Sequence, residues 1–423
     1  MNVDAVVCGA GVGGLAAACA LGRLGLRVLL VEKQPRPRPV AKGEVFQPGA
    51  LRVLGDWGVS GALERAGALR LDRLVARDRD GTARMTLDYR RLPVDGNWLL
   101  AHDYPAILRA FTEALPPSVE LRCGVLADEL LRRPDGRVTG VRLTGDGTPR
   151  TVSAALVVAA DGISSRLRRA AGIDLPRQEY PHRLVAMELT GAPEVDADFS
   201  AYVTARGLRL RYPLPGGRVR LYAQVGPGEL RGAGPGEPAR WAAALVRDTP
   251  ALGPLADAIH EALPRRQTLP VGRALAPRLT RPGLALVGDC GHLVHPMAAQ
   301  GMNSAVADAD RLAAVLRECG DLTDASVDRA LLAYGRARHA DLVHVGRISH
   351  NAARMVTDLS WTGRLLGRRA LRCTGANDRI RYTVMYNMAG LGTHPLTLLD
   401  RLHQIGLLPD PRARQEPAWA RHT

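Results

Sequence analysis

The sequence is poor in aromatic residues and nearly without lysine. Phe, Trp and Tyr make up 4% of its 423 residues, and Lys33 and Lys42 are the only lysines, so 55 of the 57 basic residues are arginine. A formal charge of +15 raises the question of a nucleic-acid partner. Binders of single strands interleave basic and aromatic side chains so that bases can stack. No such stripe occurs here, and nucleic acid is excluded as a partner. Arginine scattered through an alanine-rich chain reads instead as the bias of a GC-rich coding sequence. Paired cysteines are missing too. Cys8, Cys19, Cys123, Cys290, Cys319 and Cys373 lie far apart, with no C-x-x-C and no His/Cys spacing suited to zinc. That excludes a dithiol reductase and a zinc site, and leaves the cysteines as small core residues. No apolar run, Leu15–Leu21 included, approaches the ~20 residues of a membrane span. Without a basic leader and small-residue cleavage site before the first strand, the expected location is the cytoplasm.

What is present suffices for two domains around a large core. Asp4–Cys8 reads as a short apolar strand, Gly9–Gly14 as a glycine turn, Leu15–Leu24 as a helix closed by Gly25, and Arg27–Glu32 as a buried strand. Together they form one βαβ unit. Pro35, Pro37 and Pro39 then impose a loop. Thr151–Ala159 is another apolar strand, ending in Ala160-Asp161-Gly162. Leu284–Val287 is a further one, ending in Gly288-Asp289 and followed by a helical pattern over Asn303–Arg317. Between Ile173 and Arg281, turn clusters such as Pro213-Leu214-Pro215-Gly216-Gly217 separate short alternating runs like Val219–Val225, the pattern of an antiparallel sheet. Val327–Leu408 reads as mainly helical, and Pro409-Asp410-Pro411 predicts a frayed tail. The expected class is α/β. A Rossmann-like domain is assembled from 1–72, 96–172 and 282–326, an antiparallel-sheet domain from 73–95 and 173–281, and a helical region (327–408) and a tail (409–423) follow.

The most specific signal is Gly9-x-Gly11-x-x-Gly14 between strand and helix, with Glu32 eighteen residues further on at the end of the next strand. The first glycine permits the tight turn, the second lets backbone approach a pyrophosphate, and the third lets the helix pack closely. Val12 and Gly13 begin a helix whose free N–H groups meet the anion. Glu32 accepts hydrogen bonds from ribose hydroxyls. This reads as a dinucleotide site.

Two later segments, Ala160-Asp161-Gly162-x-x-Ser165-x-x-Arg168 and Gly288-Asp289-x-x-His292-x-x-His295-Pro296-x-x-x-x-Gly301-Met302-Asn303, complete a three-motif set in order. With it the sequence resembles the single-component FAD-dependent monooxygenases of the p-hydroxybenzoate-hydroxylase fold, to about residue 320. The Lys42-Gly43-Glu44-Val45-Phe46-Gln47-Pro48-Gly49 segment is similar to that of squalene epoxidases and quinone and quinolone hydroxylases. One departure is Ala298-Ala299, where the family usually places glycine. The resemblance implies a GR2-type FAD-binding domain in which Glu32 and Lys33 hold the ribose, and Val125 meets the adenine. It also implies that Lys42, Arg109, Asp161 and Gly288 contact FAD, Val45 lines the flavin, Asp289 meets the ribityl chain, Met302 lies beneath the ring, and Gly301-Met302-Asn303 start a helix whose positive end faces it. His295 is a candidate proton shuttle and Pro296 a neighbour of the flavin; His292 is expected to orient rather than react. Tyr212 and Tyr222 are candidate substrate contacts, with ordinary sheet packing as the alternative.

The implied reaction uses bound FAD, transient NAD(P)H and O2. A flavin C4a-hydroperoxide hydroxylates or epoxidises a small hydrophobic molecule, an aromatic, a quinone or quinolone type or an alkene, in specialised metabolism. No metal is required. No second Gly-x-Gly-x-x-Gly supplies a separate nicotinamide domain, and no Trp-x-Trp-x-Ile-Pro segment suggests halogenation. Two alternatives stay open: a flavin-dependent reductase of prenyl double bonds, and a protein that keeps FAD without reacting. In the C-terminal region, Leu359, Leu365, Leu366, Leu371, Val384, Met385, Met388 and Leu391 form either a lid closing on the flavin domain or a docking face for a membrane or an acidic carrier protein.

Overall fold

The computed structural model describes residues 2–37, 43–145, 147–230, 234 and 236–421. Lys42 lies outside them. Five strands run parallel in the order Val119–Cys123, Val28–Glu32, Asn2–Cys8, Arg150–Ala159 and Leu284–Leu286. Their centres are Val, Leu and Ala, with Val6, Leu29, Val157 and Leu284 fully buried. That is the composition of a parallel sheet covered on both faces. Leu126–Arg132 and Val138–Thr144 extend it as antiparallel strands. Because the five strands share one direction, the turns after Cys8, Glu32, Ala159 and Leu286 all emerge at one edge, where open α/β sheets bind ligands.

The second sheet is ordered His292–Leu293, Gln267–Leu275, Arg177–Leu189, Arg218–Val225, Gly207–Leu214, Phe199–Thr204, Arg73–Arg77 and Ala83–Asp88. It is antiparallel except where Phe199–Thr204 pairs with Arg73–Arg77. Period-two alternation gives it two unlike faces. Leu208, Leu210, Tyr212, Leu214 and Tyr222 join one core cluster, while Val219, Leu221, Ala223 and Val225 join another on the reverse side. The reverse side is covered by helices Glu237–Asp248 and Ala256–Ala262, which the turn-rich local sequence does not predict.

The C-terminal region is helical over Asp324–Thr357, Trp361–Ala376, Asp378–Met388 and Leu398–Gln404. Among the described residues no helix is long and apolar enough to cross a membrane. Its apolar residues divide by face: Leu371, Met385 and Met388 are buried against the second sheet, whereas Leu359, Leu365 and Leu366 are exposed. The Gly49 N–H donates to the Ala389 carbonyl at 2.7 Å, fixing this region to the first domain. Among the described residues the tail is packed against the helices, contrary to the expectation from Pro409 and Pro411. Asp410 accepts hydrogen bonds from Asn377 and Arg379 at 2.8–3.0 Å, and the Trp419 ring stacks on His394 at 3.6 Å. These contacts outweigh the two prolines, which stop a helix without preventing packing.

Candidate active site

The three glycine-bearing turns converge at the C-terminal edge of the parallel sheet. Gly9 holds a φ of +106°, and a Cβ there would sit 2.5 Å from the Ala160 carbonyl oxygen. At Gly14 a Cβ would lie 1.7 Å from the Gly9 oxygen, so the helix approaches the turn this closely only because Gly14 lacks a side chain. Gly11 is different. A Cβ there would meet only the Tyr104 hydroxyl, at 3.5 Å. The protein does not need this glycine for its own packing, and the space beside it suits a ligand. The helix Val12–Gly22 that follows has no side-chain cap and no acid in its first turn, so its N-terminal N–H groups are available to an anion.

Glu32 is fixed for its part. One carboxylate oxygen accepts the Ala10 N–H at 2.8 Å and the other the Gln34 N–H at 2.9 Å, leaving lone pairs for ribose hydroxyls. The Val125 N–H donates to the Glu32 carbonyl at 2.9 Å, which sets Val125 beside the acid. Asp161 accepts the Arg166 N–H at 2.9 Å through one oxygen, while its other oxygen is buried with no partner. An uncapped helix, a side-chain-free approach at Gly11, an anchored acid and an orphaned carboxylate oxygen fit a dinucleotide such as FAD.

Next to this cradle is a cavity of about 230 Å³. Gly11, Val12, Gly13, Gly288 and Asp289 line its cradle side; Val45, Pro296, Gly301 and Met302 line its floor; Tyr212, Tyr222, Leu210 and Phe199 form the opposite wall. The helix Gly301–Cys319 begins at the cavity, with its N-terminus toward it. Where the family usually has glycine, Ala299 adopts φ +49°, a left-handed conformation strained for an L side chain.

Several expected site residues do not line this cavity. Lys33 is exposed, and Arg109 is exposed on the helix Tyr104–Glu113, outside the cavity lining. Asn303 is buried and accepts the Gln47 N–H at 2.8 Å, so its side chain joins two segments of protein. His295 is also behind the wall rather than in it. Its Nδ1 accepts the Met297 N–H at 3.1 Å, and its Nε2 is 3.0 Å from His182 Nε2. Burial, with His182 and His350 adding to it, lowers its pKa to about 3. A neutral ring committed to a turn and to a second histidine is a cap, and this placement is at odds with a proton shuttle into the cavity.

Other residues organise the site without having been singled out. Asp308, fully buried on the Gly301–Cys319 helix, accepts the Gly288 N–H at 2.9 Å, His292 Nε2 at 2.7 Å and Arg338 Nε at 2.8 Å. Burial alone would raise its pKa, but His292 and Arg338 hold it below the usual value. This fastens the third glycine turn to the helix under the cavity and explains His292. Arg168 of the second motif donates to the Cys290 carbonyl at 3.1 Å, clamping the second turn to the third, while Ser165 caps the short helix carrying it.

Glu44 is the largest omission. It is buried on the cavity lining and accepts the Tyr212 hydroxyl at 2.8 Å and Arg220 Nε and Nη2 at 2.8 and 2.6 Å. Arg220 also reaches Glu188 at 2.9 Å. Burial works against the Arg220 charge, but the Glu44 hydrogen bond and attraction more than offset it. Burial and then the Glu44 charge raise the pKa of both Tyr212 and Tyr222, whose ring centroids lie 6.4 Å apart. The wall therefore carries two neutral phenols, one of them bonded to a paired carboxylate. The signal for Glu44 was its place in the Gly43–Gly49 segment; its partners are some 170 residues away.

Comparison with known proteins agrees with this geometry. A family described as an FAD binding domain matches residues 2–345. The 6-methylpretetramide 4-monooxygenase of Streptomyces rimosus is 29% identical over 377 residues, 86% of this chain and 86% of its own length. Squalene epoxidase 1 of Arabidopsis thaliana is 28% identical over 327 residues, 76% of this chain but 60% of its own length. The crystal structure of Pseudomonas aeruginosa PqsL with 2-aminobenzoylacetate superposes with a TM-score of 0.73 at 28% identity, covering 85% of this chain and 98% of PqsL. A matched family spanning four-fifths of the chain, set on a cradle that fits a dinucleotide, shows that this protein, similar to these monooxygenases in sequence and fold, belongs to the FAD binding domain family.

Proposed function

We propose that the protein is an FAD-dependent monooxygenase that uses NAD(P)H and O2 to hydroxylate or epoxidise a small hydrophobic substrate. The observation that carries this is the position of the cavity. It lies between the dinucleotide cradle and an apolar, phenol-bearing wall, so a flavin ring entering from one side meets an organic molecule on the other. Bound FAD supplies hydride acceptance and oxygen activation. The chain supplies the rest. Gly11 and the Val12 helix bind the pyrophosphate, Glu32 the ribose, and the start of the Gly301–Cys319 helix places partial positive charge at the ring end of the cavity. Leu184, Leu210 and Phe199 exclude water. Tyr222 and Tyr212, the latter held by its hydrogen bond to Glu44, orient a polar substituent.

Such a wall favours an aromatic bearing a hydroxyl or carbonyl, in keeping with the substrate named for the Streptomyces relative, which matches this chain over most of both lengths. The test is turnover of the purified yellow protein with NADPH under labelled oxygen against a panel of phenols, quinolones and polycyclic aromatics. A product heavier by one oxygen atom drawn from O2 supports the proposal. Anaerobic turnover adding two hydrogens instead would make the protein a double-bond reductase.

A further inference from the structure

A second cavity of about 320 Å³ lies among the C-terminal helices, walled by Asp324–Thr357, Trp361–Ala376, Asp378–Met388 and Leu398–Gln404. It shares no lining residue with the first cavity. Ile348, Met355, Val384, Met388 and Ile405 make much of its wall apolar, with half-exposed Leu366 among them. Its volume is at the lower end for small-molecule sites, roughly 300–1,000 Å³.

Three arginines line this cavity, Arg354 beside Asp358 and two others. Arg347 and Arg401 both line the cavity, and among the described residues neither has an ion-pair partner; Arg401 Nη1 donates to the neutral Gln404 side chain at 2.7 Å. Burial lowers the Arg401 pKa, the Asp400 charge works against it, and the Arg347 charge adds a smaller lowering. The carboxylates nearby are otherwise engaged. Asp400 and Asp410 pair with Arg379 at 2.6 and 2.8 Å, and Asp358, on the lining with Arg354, accepts the Ser360 N–H and hydroxyl. His344 also lines the cavity, and its Nε2 is buried without a hydrogen-bond partner. Guanidiniums that line one largely apolar cavity without a carboxylate partner are stabilised by an anionic group.

We propose that this cavity binds a carboxylate-bearing apolar molecule, its head group at Arg347 and Arg401 and its hydrocarbon body against Ile348, Met355 and Val384. The site stands apart from the flavin chemistry and does not depend on which substrate is oxidised.

Calorimetric titration of the FAD-loaded, full-length protein tests this, with sodium decanoate, decan-1-ol and sodium butanoate as probes. The expected result is one decanoate per chain, with decanol and butanoate each weaker by about tenfold or more. R401Q and R347Q should each weaken decanoate by about tenfold and leave decanol unchanged. The arginine at 347 is exposed, so R347Q decides the matter if R401Q does not fold, with flavin absorbance as the folding control. Absence of saturable decanoate binding, several equivalents per chain, equal affinity for decanol or butanoate, or indifference to both substitutions overturns the proposal.

Discussion

The cradle and the wall of the first cavity are built by opposite means. The cradle is backbone: turns left bare by Gly9, Gly11 and Gly14, a helix end, and one acid held by two N–H groups. The wall is side chain: Glu44 from one end of the chain meets Tyr212 and Arg220 from the second sheet, with every bond made across a long stretch of sequence. A dinucleotide has the same pyrophosphate in every protein, and backbone suffices to bind it. A substrate differs from protein to protein, and only side chains can be exchanged to follow it without disturbing the sheet that carries them.

The contrast can be broken at its most crowded points. Gly14→Ala places a methyl group 1.7 Å from the Gly9 oxygen, and is expected to destabilise by about 3 kcal/mol or more and to abolish flavin retention, read by denaturant unfolding and flavin absorbance. On the wall, Glu44→Ala strips Arg220 of its buried partner and should cost about 3–5 kcal/mol in the same unfolding measurement. Tyr212→Phe removes one hydrogen bond, about 1 kcal/mol, and should impair substrate turnover far more than stability.

Acid sharpens the comparison. The folded pKa of Asp308 is depressed, so its contribution is complete above the ordinary aspartate value near 3.9 and is lost as pH falls below it toward the folded value. Stability of Asp308→Asn should accordingly vary less than wild type across that acid window, as unfolding at stepped pH would show. The smallest effect belongs to Ala299→Gly. Relief of the left-handed strain at φ +49° is partly cancelled by the freedom glycine gains when unfolded, so the expected stabilisation is within about 1 kcal/mol, read as a small rise in Tm.

The same division explains what could be read from sequence. Gly9, Gly11, Gly14 and Glu32 are legible because backbone turns demand fixed residue types at fixed spacing within one βαβ unit. The alternation that buries Leu210 and Tyr212 on one face marked the second sheet and its tyrosines. Glu44 was visible as part of a segment, but its pairing with Arg220 follows no spacing. Asp308 acts by bracing turns, and nothing local separates it from a surface charge; Arg168 was marked by the second motif, but its reach to the Cys290 carbonyl follows no spacing. His295 misled because its neighbour Pro296 lines the cavity, while its own ring turns toward His182. The packed tail was hidden for a related reason: the prolines are local signals, and the contacts of Asp410 and Trp419 are not.

The central claim, that backbone holds the cofactor while the side-chain wall serves the substrate, is tested most directly by FAD content per chain after gel filtration. Wild type and Tyr212→Phe should each retain close to one FAD. Gly11→Ala, whose added methyl has room within the protein but intrudes on the ligand, should fold to within about 1 kcal/mol of wild type and retain far less flavin. Colourless wild-type protein that cannot be reconstituted with FAD, or a Tyr212→Phe protein that sheds flavin as readily as Gly11→Ala, would contradict the account.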